Sequence, residues 1–167
     1  MIRNYGLTLI ELLAGLMIIG IVFALCIPLG FSLYGKNQLK LLENEIGIAI
    51  RFARNMALLK HVPLVLTPLP SSDNWSDGMI LFIDNKNHQY AETDEIIHQW
   101  NWQKLKVQVS WVGFRSNNYL LFSSTLSHSA SNGHFILRNN EGNTVKLVIN
   151  RLGRVAAQKQ DNYLKPN

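Results

Sequence analysis

Five histidines, His61, His88, His98, His128 and His134, are the side chains of this chain best suited to metal or proton chemistry, and they are scattered. His128 and His134 share a stretch that reads as a loop. No cysteine or carboxylate stands near enough in sequence to complete a metal site with them. The stretch "DNKNHQ" (84–89) has carboxylate and amide groups at short spacing. Its alternate positions Asp84, Lys86 and His88, however, put a cation where a calcium ion needs an oxygen, so it reads as a turn. Ser124 and Thr125 have no partner base identifiable from sequence. With no nucleophile elbow, phosphate loop or metal spacing, the expectation is a protein that is not an enzyme and holds no metal or cofactor.

Glu11 is the residue whose position is chemically expensive. It lies inside "GLTLIELLAGLMIIGIVFALCIPLG" (6–30), and nothing from Leu12 to Gly35 is charged. A carboxylate within hydrocarbon costs about 3 kcal/mol even on lenient insertion scales, so it marks a function. The run exceeds the roughly 20 residues that a helix needs to span a bilayer. Arg3 ahead of it fits an uncleaved anchor with a cytoplasmic N-terminus. An ordinary secretory signal fits poorly, because no small-x-small site follows the run. The plainest account of Glu11 is a side chain snorkelling to the interface of a lone helix.

Charge is the third feature. Residues 73–95 carry six acids against Lys86 alone, whereas 138–165 carry Arg138, Lys146, Arg151, Arg154, Lys159 and Lys165 against Glu141 and Asp161. Such asymmetry is the pattern of a basic surface patch near the C-terminus, and equally of an ordinary solvated face.

These residues must be positioned by a small fold. The chain has 167 residues, 47% of them apolar and 16% charged, with a net charge of +5. That is room for an anchor and one domain of about a hundred residues, and the composition argues against disorder. Cys26 is the only cysteine, so no intrachain disulfide can form. Pro28, within the apolar run, predicts a kink or break, with helix resuming over about 36–60. Leu39, Leu42, Ile46, Ile50, Ala53 and Ala57 recur at steps of three and four there, an apolar stripe for a core. Pro63 ends that helix. Beyond it, "VPLVLT", "MILFID", "LKVQVSWV", "NYLLFS", "GHFILRN" and "TVKLVIN" read as about six strands, the last two joined by a turn at "NEGN" with Gly142. One long helix followed by antiparallel strands is an α+β arrangement.

The N-terminus resembles the leader of type IV pilins and pseudopilins: "MIRNYG", then Leu7-Thr8-Leu9-Ile10-Glu11, then the apolar helix. That resemblance implies cleavage after Gly6 by a prepilin peptidase and methylation of the new amino group on Leu7, where the family usually has Phe. It also implies assembly through Glu11 and through a helix-breaking proline, matched by Pro28. Leu7 and Glu11 stand one helical turn apart, about 6 Å along the axis. Glu11 of one subunit could therefore neutralise the terminal amine of a neighbour.

The remainder is similar to the GspH/FimT branch of minor pilins and pseudopilins. The carrying stretches are "ARNMALLKHVPLVL", "NWSDGMILFIDNKN", "DEIIHQW" and "GHFIL…VKLVINRLGRV". Some members of that branch bind DNA through a Gly-Arg-x-Arg motif near the C-terminus. Here Gly153 and Arg154 match it and Ala156 replaces the second Arg. The residues implied for DNA are Arg151, Gly153, Arg154, Lys159 and Lys165.

The expectation is thus an α+β, pilin-like fold: a long N-terminal transmembrane and amphipathic helix packed on a small antiparallel β-sheet domain. Residues 1–6 are the leader, 7–60 the helix (membrane part about 7–30) and 61–167 the β-rich domain. The function implied is a minor subunit of a type IV pilus, in the bacterial inner membrane with its domain in the periplasm, placed at or near the filament tip and contributing to DNA uptake. Its partners would be the prepilin peptidase, other pilin or pseudopilin subunits, the membrane and DNA. The alternatives are a type II secretion pseudopilin and a single-pass anchored binding domain.

Overall fold

The structure is a computed structural model that describes residues 8–125 and 132–160; the side chains of residues 26–34, 159 and 160 lie outside the description. The chain divides into two compact units, Met1–Tyr34 and Gly35–Asn167.

Helix α1 runs from Leu9 to Lys60. The break expected near Pro28 is absent, and the backbone is helical through that segment. A proline removes one backbone hydrogen bond, and its Leu- and Ile-rich neighbours favour helix enough to carry the turn. From Leu9 to Leu25 the large apolar side chains of the first unit are exposed, Leu9 by 79% and Leu25 by 67%. Among the described residues no helix is long and apolar enough to cross a membrane. The span expected over about 7–30 includes Leu7 and the side chains of 26–30, which lie outside the described residues.

In the second unit α1 buries its stripe. Leu42, Ile46, Ile50, Ala53 and Ala57 are fully enclosed, together with Ala49. The helix stops at Lys60 because His61 turns into the left-handed region (φ 54°), an αL helix end taken here by a residue other than glycine. Val62, preceding Pro63, is then biased to extended backbone, which launches the first strand.

Among the described residues eight strands follow: β1 (Leu64–Pro68), β2 (Gly78–Ile83), β3 (Ile96–Asn101), β4 (Val107–Gly113), β5 (Leu120–Phe122), β6 (Gly133–Asn139), β7 (Thr144–Ile149) and β8 (Val155–Gln160). They form two four-stranded sheets, ordered β3-β2-β1-β5 and β4-β6-β7-β8, with antiparallel pairing throughout. This corrects the expectation of about six strands. The two unforeseen ones are sheet edges: β3 opens on two isoleucines but turns polar at His98, Gln99 and Asn101, and β8, Val-Ala-Ala-Gln-Lys-Gln, has weak β-propensity.

The sheets differ in how they are covered, and the sequence carries the difference. Strands β1 and β2 are apolar almost without interruption because both faces are buried. One face joins the core under α1; the other holds Val65, Ile80 and Phe82 beneath Tyr90 and Tyr119. Strand β4 alternates, with Val107, Val109 and Trp111 inward and Gln108, Ser110 and Val112 outward. The core therefore combines the α1 stripe with the inner faces of both sheets. Phe135 sits at its centre, fully buried, with ring contacts to Trp75 and Trp111 at 5.4 and 4.7 Å. Ser76 stitches the sheets together: its Oγ accepts from Val109 N at 2.9 Å, ahead of β2, while β4 supplies the partner.

The β6–β7 hairpin closes at the expected turn. Gly142 adopts φ 82° there, and the buried Asn139 accepts from Glu141 N and Asn143 N through its Oδ1.

Candidate functional site

The N-terminal site begins with local chemistry. Thr8 is the cap of α1: its Oγ1 accepts from Glu11 N at 3.3 Å, while the Glu11 carboxylate accepts from Thr8 N at 2.8 Å and from Thr8 Oγ1 at 2.9 Å. This is a capping box, a Thr followed three residues later by a Glu, in which two otherwise unpaired backbone donors are satisfied reciprocally. The signal Thr-x-x-Glu was present in the sequence, and reading Glu11 only as a charge in hydrocarbon missed it. Both contacts use one oxygen, Oε2, of a carboxylate that can take about four acceptor bonds. Capping therefore does not exhaust what Glu11 can bind. Gly6 and Leu7 lie outside the described residues, as does the side chain of Pro28.

The second candidate is the turn from Asn150 to Arg154 that joins β7 to β8. Asn150 organises it from within: its Oδ1 accepts from Leu152 N at 3.0 Å and from Arg154 N at 2.9 Å, and its carbonyl accepts from Gly153 N at 2.8 Å. Gly153 is buried with φ 69°, a conformation glycine adopts without the clash a Cβ brings. Arg54 of α1 donates from Nη1 to the Leu152 carbonyl. Arg151 and Arg154 are exposed on this turn.

The structure does not gather all the expected basic residues. Lys159 stands opposite Val145 near the far end of β8, and five residues of strand place it roughly 16 Å from Arg154. Its side chain lies outside the described residues, as does Lys165. What the fold brings to the turn instead is Arg54, more than ninety positions earlier in the chain.

His134 is on β6, paired with Val112 and Val148, as the strand reading of "GHFILRN" has it, and not in a loop shared with His128. Desolvation, and then the neighbouring Lys146 cation, hold its imidazole pKa below the ordinary value. His128, its expected companion, lies outside the described residues. Among the described residues no cluster of three or more His, Cys, Asp or Glu could hold a metal. In "DNKNHQ", His88 Nδ1 lies 2.7 Å from Asp84 Oδ1, and Asn85 Nδ2 donates to Gln89 O at 2.7 Å. The polar groups close a turn on each other.

The family described as Type II transport protein GspH matches residues 44–153, from the buried part of α1 to the glycine of the β7–β8 turn. This chain belongs to the GspH family. It is a type IV pilin-like minor pilin or pseudopilin of the GspH/FimT type. Its fold is similar to the crystal structure of the type IV minor pilin FimU from Pseudomonas aeruginosa, with a TM-score of 0.56 over 78% of this chain and 94% of that one, at 14% identity. A second crystal form of FimU matches with a TM-score of 0.53 over 70% and 89%, at 13% identity. No curated protein matches the chain.

Proposed function

We propose that this chain is a minor subunit of a type IV pilus, processed by a prepilin peptidase after Gly6, methylated at Leu7 and assembled through its N-terminal helix at or near the filament tip. The observation that carries this reading is the first unit: a capped helix whose apolar side chains from Leu9 to Leu25 are all at or near the surface, with Glu11 as its one carboxylate. Burying that much apolar surface is strongly favourable, at roughly 25 cal/mol per Å², so a membrane and then neighbouring helices are its natural surroundings. We place the protein in the bacterial inner membrane by a single pass, with the second unit in the periplasm. The likeness to FimU, a type IV minor pilin, supports the pilus over other filaments.

The second reading is a pseudopilin of a type II secretion system, supported by the description of the family itself. Both readings require processing. The mass of the intact protein extracted from membranes is expected to match a chain beginning at methylated Leu7. A chain still beginning at Met1 would overturn both and leave a plain anchored domain.

A contribution to DNA uptake is the finer part of the proposal. It is supported by two exposed arginines, Arg151 and Arg154, on a turn whose backbone is held by Asn150 and Arg54. Two exposed guanidinium groups on a held backbone suit phosphate contacts. No catalytic role is proposed.

A further inference from the structure

The outer face of the sheet β3-β2-β1-β5 carries a cleft of about 650 Å³, bounded by the loops that follow β1, β2 and β4. That volume is in the range of small-ligand sites. Its floor is aromatic. Tyr90 packs edge-on against Phe82 at 5.7 Å, and His88 lies over Tyr119 at 4.6 Å with the rings tilted by 33°. Asp84 fixes the His88 ring through its Nδ1. Trp75 donates from Nε1 to Asn117 O and so holds the opposite wall.

The rim is made of amides. Asn87, Gln89 and Asn118 are exposed, and their side-chain amides have no hydrogen-bond partner among the described residues. Among the described residues Asp73 is the only acid lining the cleft, and neither lysine nor arginine lines it. Two of the three non-glycine residues with positive φ, Asp73 (49°) and His88 (54°), are in this lining. Backbone held in that region clusters at ligand sites.

We propose that this cleft binds a neutral oligosaccharide. Tyr90 and Tyr119 are each half-buried, and the ring surface that Phe82 and His88 leave uncovered can meet the C–H face of a pyranose. The amides supply both donors and acceptors to its hydroxyls. The absence of lysine and arginine from the lining gives a phosphate or carboxylate ligand nothing to pair with.

The test is ligand-observed saturation-transfer NMR and Trp fluorescence on the full chain in a detergent without a sugar headgroup. Cellotetraose, maltotetraose, mannotetraose and tetralysine are the probes. At least one tetrasaccharide is expected to bind with a Kd of about 0.1–1 mM. Tyr119→Ala should weaken it about tenfold, Asn118→Ala measurably, and Tyr119→Phe little, with thermal unfolding confirming that each variant folds. Failure of all three tetrasaccharides to bind overturns the proposal. So does equal binding by Tyr119→Ala and Asn118→Ala. Binding of tetralysine alone also overturns it, since an aromatic cleft with one acid would then be a site for cations.

Discussion

Arg54 of α1 donates to the carbonyl of Leu152, 98 residues further along the chain, and its Cδ lies 3.1 Å from where a Cβ on Gly153 would stand. Arg54 thus braces from the helix the turn that Asn150 organises, and fills the space beside the glycine.

From this follows a coupled pair of substitutions. Arg54→Ala should cost about 1 kcal/mol through loss of a charged donor at an exposed carbonyl. Gly153→Ala should cost roughly 1–2 kcal/mol, from a Cβ in the left-handed region and from crowding against Arg54. The double variant should lose less than the two costs added, because removing Arg54 relieves the crowding. Chemical denaturation of the three variants measures the difference.

Glu11 has two roles that substitution can separate. Glu11→Gln keeps an acceptor for Thr8 N, since a Gln serves in a capping box, but removes the charge. If that charge neutralises a neighbour's terminal amine, Glu11→Gln should insert into membranes normally and enter filaments poorly. Thr8→Ala loses the cap at about 1 kcal/mol and keeps the carboxylate, so it should still assemble. Immunoblotting of sheared filaments against membranes reads the outcome. Normal assembly of Glu11→Gln would leave capping as the whole role of the residue.

Every buried apolar side chain among the described residues lies at or beyond Leu39. A fragment starting at Gly35 should therefore fold cooperatively, as judged by a single thermal transition. Within it Phe135→Ala should cost about 3–5 kcal/mol, the usual penalty for emptying a large aromatic site. Aggregation of the fragment would mean that the sheets do not by themselves cover the stripe of α1.

His134 gives a pH dependence of definite sign. Its imidazole pKa is lowered by burial and, secondarily, by Lys146 from an ordinary value of 6.5. Above about pH 6.5 the ring is neutral in both folded and unfolded chains, and it contributes no pH dependence. As the pH falls below that value the unfolded chain takes up the proton first, which weakens folding. His134→Gln should therefore gain stability relative to the parent between about pH 7 and about pH 5. Unfolding midpoints that fall in parallel would assign the effect elsewhere.

If Arg151 and Arg154 contact phosphates, duplex DNA should bind with a Kd in the micromolar range or weaker and without sequence preference. The log–log salt slope should be about −0.9 per contact, and Arg154→Ala should flatten it by about one while weakening all sequences alike. A low-salt titration that shows no binding, or equal binding by the Arg151/Arg154 double alanine variant, returns the turn to an ordinary solvated surface.

Much of this molecule was determined within short windows of sequence. Leu42, Ile46 and Ile50 announce their buried face because helical period alone puts them in line. Val107, Val109 and Trp111 do the same by strand alternation, and Asn139 to Asn143 close a hairpin using only their own backbone and side chains. The capping of Glu11 by Thr8 is equally local and was legible in the spacing. The tertiary structure alone decided the rest. Strand β8 has little β-propensity of its own and exists because the Asn150 turn lays it on β7. His134 faces Lys146 only through strand pairing. Lys159, five residues from Arg154, is carried away from it by an extended backbone, while Arg54 arrives from the helix. The reason is physical: period, caps and turns depend on neighbours within a few residues, whereas a site assembled across sheets depends on which distant backbones the core brings together.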